Sequence, residues 1–164
     1  MAARTPRGAA RGITVRRTVT WSESDPAGMM NSPRAFDYAI DAIETIYRKA
    51  LGITFLGLIE RHGLGAPLVH LSCDFTAPLQ EGDRFTLIAS IERLGTSSIT
   101  WRVDARRSDR KTAFRARLVS SFVRRRDFRP VPMPAAFRTR FARYVAKPPA
   151  GKRRTRTKTR PSTR

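Results

Sequence analysis

Residues 20–52 read TWSESDPAGMMNSPRAFDYAIDAIETIYRKALG. The second half of this stretch decides the fold. Phe36, Ile40, Ile43, Ile46, Tyr47, Ala50 and Leu51 recur at steps of three and four, while Asp37, Asp41, Glu44 and Arg48 mark the opposite face. Ser32 is a good N-cap, Pro33 a good first helical residue and Gly52 a good stop. The pattern predicts one helix over 32–51, long for a globular protein and so central to the fold. Its apolar stripe needs a second apolar surface to cover it.

That surface is written in the flanking sequence. ITVRRTVTW (13–21) is β-branched and partly alternating, and reads as a strand ending at the turn Ser22-Glu23-Ser24-Asp25-Pro26. After the helix, ITFLGLIERHGLG reads as a short helical turn and a loop. Four strand-like segments follow. Over 67–76, Val69, Leu71, Cys73 and Phe75 share a face; over 84–93, Phe85, Leu87, Ala89 and Ile91 do. Ile99, Trp101, Val103 and Ala105 line one side of 99–107, opposite Thr100, Arg102, Asp104 and Arg106. Residues 113–124 alternate through Phe114, Ala116, Leu118, Ser120 and Phe122. Such alternation argues for an antiparallel sheet with one apolar side. The short links 77–83 and 94–98 suit neighbouring strands. The expected fold is α+β, a five-stranded antiparallel sheet wrapped around one long central helix.

Charge marks the limits of the domain. The chain has 164 residues and a formal net charge of +20. Residues 1–12 carry three arginines and no acid, and residues 147–164 carry eight Lys or Arg and no acid. We therefore expect disordered basic tails at 1–12 and 147–164 around one domain at 13–146. The tails attract polyanions without specificity. No aromatic residue interleaves the C-terminal charges to stack bases, so nucleic acid is expected only as a non-specific partner. Cys73 is the only cysteine, which excludes a disulfide within the chain. No apolar run approaches a membrane span, and the N-terminus lacks the apolar core of a secretory signal. A cytoplasmic protein with no membrane partner is the expectation.

The stretch 20–52 resembles the opening of the 4-hydroxybenzoyl-CoA thioesterase family. There too a strand leads into an Asp-Pro-Ala-Gly-like turn, a Pro at the helix start and a Gly after the helix. FTAPLQEGDRFTL, ERLGTSSITW and RPVPMP look like later parts of the same family, so the resemblance covers roughly residues 14–138. It implies the hotdog fold and an acyl-CoA thioesterase, dimeric or tetrameric, with sites at the dimer interface. It matches Asp25 to the catalytic carboxylate and Ser32 to the residue whose backbone N–H polarises the thioester carbonyl. Coenzyme A is then part of the substrate, and no separate cofactor or metal is expected. Between the Gly and the Pro this chain has Met29, Met30, Asn31 and Ser32, where relatives often carry bulky aromatics.

The residues suit that chemistry. Thioester cleavage needs a group that attacks the carbonyl, or activates water to do so, and donors that stabilise the oxyanion. Asp25 supplies the first; N–H groups of Ser32 and Arg34 at a helix start supply the second, since Pro33 has none. Gly28 lets the backbone approach a ligand, and Met29 and Met30 offer an adaptable acyl surface. Arg124, Arg126 and Arg129, with Arg125, are candidates for the coenzyme A phosphates, or solvated charge. The bland reading of Asp25 is turn chemistry before a proline. Glu44 is a rival acid, better read as pairing with Arg48. His62 and His70 suggest no metal site, and Cys73 reads as core. Two other functions fit the sequence: a non-catalytic acyl-CoA-binding protein of the same fold, and a polyanion binder acting through the tails.

Overall fold

The computed structural model of the protein describes residues 12–146. The basic tails lie outside them, Gly12 excepted. Strand β1 (Ile13–Thr18) leads through a 3-10 turn (Trp21–Glu23) to helix α1 (Arg34–Leu51) and helix α2 (Phe55–His62). Then come β2 (Leu64–Gly65), β3 (Leu68–Phe75), β4 (Arg84–Leu94), β5 (Ser98–Arg107), β6 (Thr112–Ser121), β7 (Val123–Arg124) and helix α3 (Ala135–Phe141). Five strands form one antiparallel sheet in the order β1-β4-β5-β6-β3, and β2 pairs with β7 separately.

The helix meets the sheet on a face turned from the expected stripe. Ala35, Tyr38, Ala39, Ala42, Ile43, Ile46 and Tyr47 are the buried positions of α1, so Ile43, Ile46 and Tyr47 of that stripe are buried while Phe36, Ile40, Ala50 and Leu51 are half-buried beside it. The three alanines let the helix approach closely, while the larger side chains each contribute about 1.5–3 kcal/mol by burial. They face Leu87, Trp101, Val103, Phe114 and Leu118, all fully buried. Gly52, with φ +72°, ends the helix in a left-handed cap whose N–H donates to the Arg48 carbonyl.

Four further details depart from the expectation. Helix α1 begins at Arg34, because Arg34 and Ala35 donate to the Asn31 and Ser32 carbonyls in a tighter preceding turn; Ser32 makes no side-chain cap. Helix cover is not one helix alone, since α2 and α3 also pack against the core. The segment 113–124 divides at Phe122, and its last residues leave the main sheet to pair with β2. Finally, β3 is an edge strand. Its apolar face lies on the inner side of the sheet but outside the cover of α1, leaving Val69 62%, Leu71 43% and Phe75 50% exposed.

The outer face of the sheet is held by charge. Asp104, only 7% exposed, accepts Arg102 Nη2 at 2.9 Å and Arg115 Nε at 2.7 Å. Burial raises its pKa, but hydrogen bonds from Arg102 and Arg115 outweigh that and hold it below the usual carboxylate value. Its stabilisation is therefore present above the unfolded pKa of about 3.9 and is lost as pH falls through the lower folded value. Asp104→Asn is expected to cost about 2 kcal/mol at pH 7, the half-exposed arginines softening the usual penalty for a broken buried pair. The gap between mutant and parent, read by urea denaturation, should shrink below pH 4.

Candidate active site

The loop between β1 and α1 is folded tightly on itself. The Thr20 N–H and hydroxyl both donate to Glu23 Oε2 at 2.8 Å, and Asn31 N–H donates to the Glu23 carbonyl at 2.8 Å. Burial opposes ionisation of Glu23, yet hydrogen bonds from Thr20 and the nearby Arg34 charge keep its pKa below the ordinary value. Burial, then Glu23, pushes the Tyr38 phenol well above its own. Met30 N–H reaches the Leu79 carbonyl at 2.8 Å, docking the loop on the β3–β4 connection.

Asp25 sits at the tip. Its Oδ1 accepts Ala27 N–H at 2.9 Å and Met29 N–H at 3.0 Å, and its own N–H donates to the Met29 carbonyl at 2.7 Å. This is the turn chemistry that an Asp-Pro pair suggests. It also fixes the carboxylate, and among the described residues Oδ2 accepts no hydrogen bond. Gly28 has φ +75°, a left-handed turn position, and a Cβ added there would meet no neighbouring atom. Backbone conformation, not crowding within the chain, explains this glycine.

Asp25, Met29, Met30 and Ser32 line one cleft, with Phe75 and Phe114 across from them; its volume is about 470 Å³. Gly28 borders a neighbouring hollow that Asp25 shares. The Arg34 N–H is already used, whereas the Ser32 N–H has no hydrogen-bond partner among the described residues. The cleft thus combines an oriented carboxylate, an open donor beside a helix start and an apolar wall. Such a set can activate a nucleophile at one side of a carbonyl and receive its oxygen at the other.

Arg124, Arg126 and Arg129 belong to a different region, the end of β7 and the turn that follows it. Asp127 pairs with Arg124 at 3.0 Å and Arg126 at 3.9 Å, and its Oδ1 accepts the Arg129 N–H at 3.3 Å. Arg125 stacks on Phe128. Thr96 and Ser97 give their carbonyls to Met133 and Phe122 N–H groups, so this turn is structural. Glu44 bridges Arg48 Nη2 and Phe55 N–H, each at 3.2 Å, tying α2 to α1. Glu44→Gln is expected to lower stability by about 1 kcal/mol with turnover unchanged, measured by thermal melting beside a thiol-release assay. Burial, then Asp74, pushes the Cys73 thiol up to about 11, which leaves it unreactive at neutral pH. His70 is exposed and His62 packs edge-on against Phe137; no group of potential metal ligands exists among the described residues. No described helix is long and apolar enough to cross a membrane.

Residues 40–114 match the sequence model of the Thioesterase superfamily. The chain is 32% identical over 90 residues to a 1,4-dihydroxy-2-naphthoyl-CoA hydrolase from Synechococcus sp. (strain CC9605), covering 52% of this chain and 60% of that one. The match therefore spans less than two thirds of the relative. A 1,4-dihydroxy-2-naphthoyl-CoA thioesterase structure from Synechocystis superposes with TM-score 0.74 at 20% identity, over 80% of this chain and 96% of the other. A 4-hydroxybenzoyl CoA thioesterase mutant in complex with 4-hydroxybenzoyl CoA gives TM-score 0.74 at 19% identity, over 80% and 99%. At such identities the superpositions show a shared fold, the α+β hotdog architecture.

The sequence points to the loop residues but not to Phe75 and Phe114. The signal for those two is present in the alternation of their strands. Only the register, which pairs Phe75 with Phe114, brings both to the Asp25 cleft.

Proposed function

We propose that this protein hydrolyses acyl-CoA thioesters, with Asp25 as the catalytic carboxylate and the Ser32 N–H as oxyanion donor. The observation that carries the reading is the meeting of a fixed carboxylate and an unused N–H in one cleft of a chain whose residues 40–114 match the Thioesterase superfamily model. Asp25 either attacks the carbonyl carbon to give a mixed anhydride that water opens, or takes a proton from the attacking water. Either way the coenzyme A thiolate leaves, and the products are a carboxylic acid and the free thiol. Met29 and Met30 supply adaptable apolar contact beside the reacting carbon. The turn at Arg124, Arg126 and Arg129 is the candidate contact for coenzyme A phosphates, and among the described residues the Arg129 side chain has no ion pair.

The working unit is a homodimer. The uncovered apolar strand β3 supports this, because an exposed apolar edge is a template for pairing with a second chain. Thiol release from a panel of aroyl- and alkanoyl-CoA esters tests the reading. Steady turnover of at least one ester is expected; tight binding without turnover across the panel overturns it in favour of an acyl-CoA-binding protein.

A further inference from the structure

Cations on the outer face of the main sheet fall into two groups. Near the middle of the sheet, Arg102 and Arg115 meet Asp104, and Arg117 meets Glu92 at 3.1 Å. At the end where β1 finishes and β4 begins, Arg16, Arg84 and Arg106 are exposed and form no ion pair among the described residues. Residues 1–12 and 147–164 contain no Asp or Glu to supply one.

Strand register gathers the three. Arg16 lies opposite Thr86, Thr86 lies opposite Arg106, and Arg84 lies opposite Thr18. Phe85, between Arg84 and Thr86, is buried on the inner side, so its two neighbours point outward. Arg84 is then a diagonal neighbour of both Arg16 and Arg106, about 7–8 Å from each. Arg17 turns the other way, to Asp41 on α1 at 3.5 Å. A concavity of about 530 Å³ opens at this corner, lined by Arg16, Thr18, Arg84, Thr86 and Ser108. The Ser108 hydroxyl donates to the Arg84 carbonyl at 3.0 Å and ties the β5–β6 turn to the start of β4. Thr18 and Thr86 add hydroxyl donors beside the cations.

Like charges gathered on one sheet face oppose folding. One carboxylate among them relieves this, as Asp104 does for Arg102 and Arg115; an anion from solution does the same. The guanidinium fork matches phosphate oxygens. Three cations exceed the charge of about −1.5 to −2 that one phosphate monoester carries at pH 7, so two linked phosphates match them better. The concavity is apart from the thioester machinery. Phe114, a wall of the Asp25 cleft, faces the inner layer of the sheet. Strand β6 runs from Thr112, opposite Arg106, to Ser121, about 30 Å away, before the chain reaches the turn at Arg124.

We propose that Arg16, Arg84 and Arg106 form a binding site for a soluble phosphorylated ligand with two linked phosphates, separate from the thioester substrate. This site stands whether or not the protein cleaves thioesters.

Inorganic pyrophosphate is the probe, titrated calorimetrically into the full chain. One saturable site is expected above the weak background of the basic tails. Arg84→Gln should weaken it about tenfold or more, the worth of one charge-assisted hydrogen bond, and Arg16→Gln combined with Arg84→Gln about a hundredfold. Arg84→Lys keeps the charge and loses the fork, so it should bind between native and Arg84→Gln. Arg117→Gln removes the same charge from the paired group. It lies opposite Arg102, four residues along β5 from Arg106, or about 13 Å, beyond the screening length of about 8 Å at physiological salt. It should leave binding unchanged. Without ligand, Arg84→Gln should melt no lower than native, because it relieves like charges; a lower melting temperature makes Arg84 structural and overturns the site. An equal loss in Arg117→Gln, or no saturable binding, overturns it in favour of diffuse surface charge. Coenzyme A displacing pyrophosphate from this site overturns its separation from the substrate. Duplex DNA bound here in place of pyrophosphate, weakening steeply with salt, assigns the face to nucleic acid and overturns the small-ligand site.

Discussion

Asp25→Asn is expected to lower thioester turnover by about 10²–10⁴-fold, the range for losing a positioned acid or base. The substitution is a clean one. An asparagine carbonyl can still accept the Ala27 and Met29 N–H groups that Oδ1 accepts, so the turn keeps its shape. What goes is the negative charge. Melting temperature and KM should stay near native while kcat falls, and a variant that turns over normally would leave Asp25 as turn punctuation. The oxyanion half can be probed through the backbone. Ser32→Pro deletes the one N–H that the helix start leaves unused, and is expected to cost about a hundredfold or more in kcat.

The second large effect concerns the edge strand. In Leu71→Lys, pairing of β3 with its copy would bring two cations together across a two-fold axis. Like charges set against each other cost several kcal/mol, and about 3 kcal/mol weakens a dimer by more than a hundredfold. Sedimentation at micromolar concentration should show monomer. On the proposed homodimeric reading, activity should fall in parallel. A monomeric variant with full activity would sink that reading and leave the fold untouched.

Much of this arrangement is legible in the residues. The alternation of β4, β5 and β6 names their buried faces by period alone, whereas on α1 only Ile43, Ile46 and Tyr47 of the expected stripe are buried, because Ala35, Ala39 and Ala42, not the larger Phe36 and Ile40, sit closest to the sheet. Period tells which face a side chain takes, not whether anything covers it. That is why Leu71 and Phe75 read as core and yet are exposed: coverage depends on strand order, and β3 is at the edge. Ser32 reads as a cap because Ser-Pro usually opens a helix; here the carbonyls of Asn31 and Ser32 close a tighter turn first. Helix α3 leaves a faint signal, Phe137 and Phe141 one turn apart after Pro134. The site splits the same way. Asp25, Met29, Met30 and Ser32 are close in sequence and line one cleft, whereas Phe75 and Phe114 join them only through the register of β3 with β6.

The bond from Phe55 N–H to Glu44 makes α2 a separable module. One carboxylate fastens the start of this short helix to α1, and the Thr54 hydroxyl accepting Gly57 N–H at 2.9 Å caps it. Phe55, Leu58 and Ile59 hang from it as one wall of an apolar cavity between α1, α2 and β3, while the loop that holds Asp25 is built from other parts of the chain. Resizing those three side chains would reshape that cavity and leave the loop that holds Asp25 untouched, so variation confined to α2 acts on this cavity and not on the Asp25 cleft.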